Sequence, residues 1–319
     1  MNKQPLKSLT SQEPKVIVKI HGGLGNQLFQ YSYARALADR YNATLKLDVS
    51  SYTPKMASKD NPDHVFRRRY GLGKMQIVAD EATECEIIEL RGSRNLFQRL
   101  LTKFDPICRR YVEEKCFHFD LRYLAPEQLK KGRSVYVHGF WQTEKYFEEI
   151  REKLLSELTV ASCPDASNAQ LLDEITAVNS VCVHVRRGNF LLKHYKDYHG
   201  VCSIDYYRQA VSKICTQVKA PRFYIFSDDH EWVKDKMNFL SPATQVTLNG
   251  PENDYDDLRL MSRCKHHVIA NSSFSWWGAW LSTHETKLVI APSKIFRLSK
   301  LNTDDFAPES WIKITTSFV

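Results

Sequence analysis

Short apolar runs alternate along this chain with segments whose apolar residues recur every three or four positions. The run Val16 to Ile20 predicts a buried strand, and His21-Gly22-Gly23-Leu24-Gly25-Asn26 follows it directly, so the chain must turn there. Beyond the turn, Leu28, Tyr31, Ala34, Ala38 and Tyr41 share one helical face, and Thr44 to Val49 predicts the next strand. Strand, glycine turn, helix and strand open a parallel α/β domain. From about Pro54 to Gln98 charge clusters interrupt every period and no element is predicted. Order resumes with a strand over 135–140 and a helix over 144–158 that aligns Phe147, Ile150, Leu154 and Leu158.

The turn formers from Ala161 to Asn168 predict a linker, taken here as 161–178. After it come strands at Val181 to Val185, Phe223 to Phe226, Gln245 to Leu248, His267 to Ala270 and Lys287 to Ala291. Helices are predicted between them, at Ile204 to Val218, Glu231 to Met237, Tyr255 to Ser262 and Phe274 to Leu281. Five strands separated by helices make a doubly wound parallel sheet, in which ligands sit beyond the carboxyl ends of the strands. The organisation expected is a mobile leader over 1–14, one α/β domain over 15–160, the linker, and a second domain over 179–319.

Length agrees with two domains, since 319 residues divide into units of roughly 150. Apolar residues at 43% and charged residues at 26% suit a soluble globular protein. No run approaches the roughly 18 apolar residues of a membrane span, and the leader lacks the apolar core of a secretory signal, so the cytosol is the expected compartment. Eight scattered cysteines, with no C-x-x-C pair, read as free thiols. Cys264, His266 and His267 match no standard zinc spacing. The net charge of +8 suits an anionic partner without choosing among nucleic acid, nucleotide phosphate and membrane surface. Its densest cluster, Arg67-Arg68-Arg69, reads as a solvated surface stretch.

Four strand ends carry more than a loop requires. The glycines at 22, 23 and 25 let backbone N–H groups approach an anion at the start of a helix, or they serve only a tight turn. His184-Val185-Arg186-Arg187-Gly188-Asn189 brings two guanidinium groups together, which calls for a phosphate or for a carboxylate such as Asp228. Asn271-Ser272-Ser273 offers donors to a phosphate or sugar, or it caps the next helix. Trp276, Trp277 and Trp280 read as helix packing in preference to sugar stacking. Asp228-Asp229 resembles acidic pairs that hold a metal-nucleotide, but a metal is redundant where arginines already meet a leaving diphosphate.

Together these segments resemble the bacterial α-1,2-fucosyltransferases of glycosyltransferase family 11. The resemblance runs from about Lys19 to the C-terminus. It rests on HGGLGNQLFQYSYARALA (21–38), GFWQTEKYF (139–147), HVRRGN (184–189), FSDDHEWVK (226–234) and DLRLMSRCKHHVIANSSFSWWGAWL (257–281). It implies the GT-B architecture, two Rossmann-like domains facing each other across a cleft, with the acceptor on the first and GDP-L-fucose held mainly by the second. Inverting transfer to the 2-hydroxyl of a terminal galactose is implied, with no cofactor and no metal.

By the same resemblance Arg186 neutralises the departing phosphate, Arg187 assists, and His184 lies near the nucleotide. Asp257 belongs near guanine, Ser273, Phe274 and Ser275 near the diphosphate, and Gly23, Gly25 and Asn26 opposite the donor. Asp228 and Asn189 complete the donor set. Asn189 stands where relatives commonly have Asp, and an amide cannot accept a proton at neutral pH. His21 and Glu144 are the candidate bases. An O-antigen or other surface glycan is the implied acceptor, with loose attachment to the cytoplasmic face of the inner membrane. The alternatives are a transferase with another GDP-sugar or linkage, a non-catalytic glycan- or nucleotide-binding protein, and a nucleic-acid binder, for which no motif is present.

Overall fold

The structure is a computed structural model, and it describes residues 13–52, 68–91, 110–298 and 301–319. Most of the polar leader, Arg67 and Cys108 lie outside the described residues. The first sheet contains β1 (Lys15–Lys19), β2 (Thr44–Asp48), β3 (Asp80–Glu81), β4 (Tyr111–Glu113) and β5 (Val135–His138), ordered β3-β2-β1-β5-β4. The second contains β6 (Ser180–Val185), β7 (Arg222–Ser227), β8 (Ala243–Gln245), β9 (His266–Val268), β10 (Val289–Pro292) and β11 (Ile312–Ile314), ordered β11-β10-β9-β6-β7-β8. Every pairing in both sheets is parallel. Two Rossmann-like halves therefore face each other, with strand ends turned toward a common cleft.

Several elements differ from their sequence expectation. The segment taken as a linker is mostly helix Ala166–Ala177, because Asp165 accepts from Asn168 N–H and caps it. The helix expected over 144–158 is two single 3₁₀ turns followed by Arg151–Glu157, since the backbone at Phe147 leaves helical geometry between the turns. Its apolar face is buried all the same, with Phe147 and Leu154 fully covered. The short strands β3, β4 and β11 carry too few residues to show a period. The edge strand placed at 245–248 pairs earlier, at 243–245.

Two helices join the halves. Helix α1 (Leu24–Arg40) is covered on nearly every face, down to Gln27, Gln30 and Ser32. One side lies on its own sheet; the other meets α2 (Ser273–Trp280) of the second half. Phe29 sits 4.5 Å from the Trp276 ring and 5.0 Å from Trp277. Trp276, Trp277 and Trp280 are all fully buried, and the Trp276 indole donates to Phe306 O at 2.6 Å. Packing is the role of these tryptophans, as the sequence reading held, and it welds the two halves into one core.

Candidate active site

The cleft between the halves has a volume of about 1730 Å³, well above the roughly 300–1,000 Å³ of a pocket for one drug-sized ligand. There is room for a nucleotide sugar and an acceptor together.

On the second half, Arg186 leaves the end of β6 and pairs through Nη1 with Asp228 Oδ2 at 2.9 Å, while Nη2 donates to Asn189 Oδ1. The sequence left open a phosphate or Asp228 as its partner; the carboxylate is there, and Arg186 still lines the cleft. Asp228 also accepts the Arg187 N–H at 2.8 Å, and a Cβ on Gly188 would meet its oxygen at 2.3 Å. Glycine is thus what lets the loop close on the carboxylate. Arg187 turns away: its guanidinium pairs with Asp229 at 2.9 Å and lies over Trp232, 4.3 Å from the ring centre. Direct phosphate contact by Arg187 is not part of this arrangement.

His184 lines the cleft and is backed by Ser275, whose hydroxyl meets Nδ1 at 3.0 Å and accepts from Ala270 N–H. Burial pushes His184 down to about 4, so it is neutral. Ser275 itself is fully buried beneath the site, whereas Ser273 and Phe274 face the cleft. Asp257 and Asp254 share one face at the start of the helix Asp254–Arg263, and burial raises both carboxyls to about 6. Asn249 donates to Asp257 at 2.9 Å and exchanges amide bonds with Asn168.

On the first half, Gly22 takes the left-handed conformation (φ 81°), which glycine adopts without strain. Gly25 packs directly on the backbone of Ser273 and Phe274, leaving no space for a Cβ. Beside it, Asn26 Oδ1 accepts from Ser273 Oγ at 2.7 Å and from Gln142 Nε2 at 2.9 Å. The glycine loop therefore serves close contact between the halves, and Gly23, Gly25 and Asn26 also line the cleft. Gln27, fully buried, donates to Gly22 O and Arg69 O and accepts from Gly71 N–H. It holds the 69–71 loop at the cleft, where Arg68 is half-buried, which corrects its reading as part of a solvated stretch; Arg69 is exposed, as that reading expected, and pairs with Glu252.

His21 also lines the cleft, and burial followed by the neighbouring His138 pushes it down to about 4. Its Nε2 is shielded and has no hydrogen-bond partner among the described residues. Glu144 is elsewhere. Its carboxylate accepts from the Trp280 indole at 2.9 Å, close to Arg151 and Lys287 at the end of α2, and it does not line the cleft. Sequence reasoning missed Arg68, Asp254, Asn249 and Gln142; the i, i+3 spacing of Asp254 and Asp257 was the one local signal for any of them. Among the described residues, no three His, Cys, Asp or Glu side chains group as a metal site. No described helix is long and apolar enough to cross a membrane.

Two facing Rossmann-like halves with an arginine-bearing cleft define the GT-B class of glycosyltransferases. The chain belongs to glycosyltransferase family 11, whose model, Glycosyl transferase family 11, matches residues 102–315. It is 33% identical over 303 residues to an alpha-1,2-colitosyltransferase of Escherichia coli, covering 94% of this chain and 98% of that one. It is 30% identical over 317 residues to the O-antigen biosynthesis glycosyltransferase WbnK of Escherichia coli, covering 92% and 99%. A solved mutant of Arabidopsis thaliana FUT1 in complex with GDP has the same fold, with a TM-score of 0.51 over 89% of this chain and 71% of that chain at 11% identity.

Proposed function

We propose that the protein transfers L-fucose from GDP-β-L-fucose to the 2-hydroxyl of a terminal galactose, inverting the anomeric carbon. The observation that carries this reading is Arg186, pinned by Asp228 and Asn189 in a cleft whose two halves are tied by the Asn26–Ser273 hydrogen bond. As the bond to the anomeric carbon breaks, negative charge develops on the diphosphate. A preorganised guanidinium meets it at little reorganisation cost. Arg68 adds positive charge from the first half, so the reading needs no metal. His21, neutral and lining the cleft, is the group placed to accept the hydrogen of the acceptor hydroxyl. Asp257 and Asn249 take the guanine edge.

The identity to a colitosyltransferase favours GDP-colitose as a second donor, since colitose is fucose without its 3-hydroxyl. The resemblance to WbnK, an O-antigen biosynthesis glycosyltransferase, supports an O-antigen acceptor. The test is GDP release from each GDP-sugar, with EDTA present, on lactose and N-acetyllactosamine, followed by linkage analysis. A 2-fucosyl product sustains the reading. Turnover of GDP-colitose alone moves the donor, and inhibition by EDTA overturns metal independence.

A further inference from the structure

The tryptophans are spent on packing, yet the cleft has an aromatic wall of its own. Phe140 lies edge-on to His21 at 4.9 Å and parallel to Phe117 at 6.0 Å. Phe117 meets Phe296 at 5.2 Å, and Phe296 lies 4.8 Å from Tyr198 and 5.3 Å from His199. His199 stacks on Phe190 at 4.5 Å, and the Arg186 guanidinium is 5.5 Å from that ring. The strip runs without a break from His21 to Arg186, and all its members line the cleft. Both halves contribute. Phe117 follows β4, Phe140 follows β5, and the others follow β6 and β10. The cleft also presents polar side chains, among them Asn26, Arg68, Asp254 and Ser273.

A strip of rings beside polar side chains suits a sugar, which carries one apolar face and a polar edge. A β-galactoside has one face suited to it: the axial 4-hydroxyl points the other way, leaving the C–H groups at C3, C4 and C5 as a continuous apolar patch. Rings in a half-open cleft bind such a patch by removing both surfaces from water, while hydroxyls at the sugar's edge reach the polar side chains. We propose that the strip centred on Phe117 and Phe296 is the acceptor platform, holding a terminal galactopyranose by its C3–C5 face. The proposal rests on the fucosyltransfer reading for the sugar's identity, but its binding step is measurable without turnover.

Two measurements test it on the whole chain with GDP bound. In saturation-transfer NMR with methyl β-D-galactoside, irradiating aromatic protons is expected to saturate H3, H4 and H5 of the sugar most strongly. In steady-state assays, Phe117→Leu is expected to raise the acceptor KM about tenfold, the loss of one stacking contact of about 1.4 kcal/mol. Its GDP affinity should stay at the wild-type value, and Phe117→Tyr, which keeps the ring, should keep the KM. The proposal is overturned if the galactoside does not bind, if saturation falls mainly on the opposite face, or if Phe117→Leu leaves KM unchanged. Transfer failing from both GDP-sugars while the NMR contact persists sinks the fucosyltransfer reading and leaves the platform standing.

Discussion

Replacing Gly25 by alanine tests the claim that the glycine loop exists for contact between the halves. A Cβ there would stand 2.4 Å from Phe274 N, 2.5 Å from Ser273 C and 2.8 Å from Phe274 Cα. All three are backbone atoms and cannot swing aside. Ordinary contact distances start near 3.5 Å, so the loops must separate by about 1 Å. Overpacking of this kind costs about 1–3 kcal/mol, which lowers the melting temperature by a few degrees. The functional cost is larger. Asn26 and Ser273, whose hydrogen bond ties the two walls, sit next to the insertion. A misplacement of about 1 Å between groups that must act together costs about a hundredfold in turnover. The assays are kcat with saturating GDP-sugar and thermal melts. If Gly25→Ala keeps turnover within about threefold of wild type, the loop is not a contact surface in the working enzyme and the argument fails.

Arg186→Ala should lower kcat by about two to three orders of magnitude, the usual cost of removing a preorganised charge at a leaving group; near wild-type GDP release would refute its role. Glu144→Gln should retain activity within about threefold, because the amide oxygen still accepts from the Trp280 indole; a hundredfold loss would return Glu144 to the reaction. GDP binding should weaken as the pH falls below 6. Burial has raised the Asp257 carboxyl to about 6 from its ordinary 3.8, so protonation removes the acceptor for guanine N–H donors two units earlier than in water, at up to about tenfold per pH unit. Asp257→Asn should bind GDP weakly at pH 7.5 and lose that slope; an unchanged Kd from pH 7.5 to 5 in the wild type would refute the assignment.

Much of the second half was legible in the chain because its signals are local. A buried parallel strand is an apolar run, and its carboxyl end is the next few residues, so Arg186, Asp228 and Ser273 could be placed at one crevice from spacing alone. Burial of the tryptophans followed from the same logic. The short strands at 80–81 and 111–113 gave no such signal, since pairing with neighbours, and not an internal period, makes them strands.

What the sequence determined by itself is the set of parts: two α/β halves, a glycine turn before a buried helix, and an arginine pair at a strand end. What only the tertiary structure decided is which parts meet. Arg186 and Arg187 are adjacent and chemically identical, yet one faces the cleft and the other lies over Trp232. Glu144 sits in a motif block but is turned to the end of α2, whereas Arg68, in a stretch that read as surface, is carried into the site by the loop that Gln27 holds. Gly25, which the sequence offers to a ligand or to a tight turn, also packs on the Ser273 backbone of the other half. The physical reason is common to all four. Periodicity records whether a residue is covered, but the partner that covers it comes from a loop forty or more residues away, and only the tertiary packing brings that loop into place.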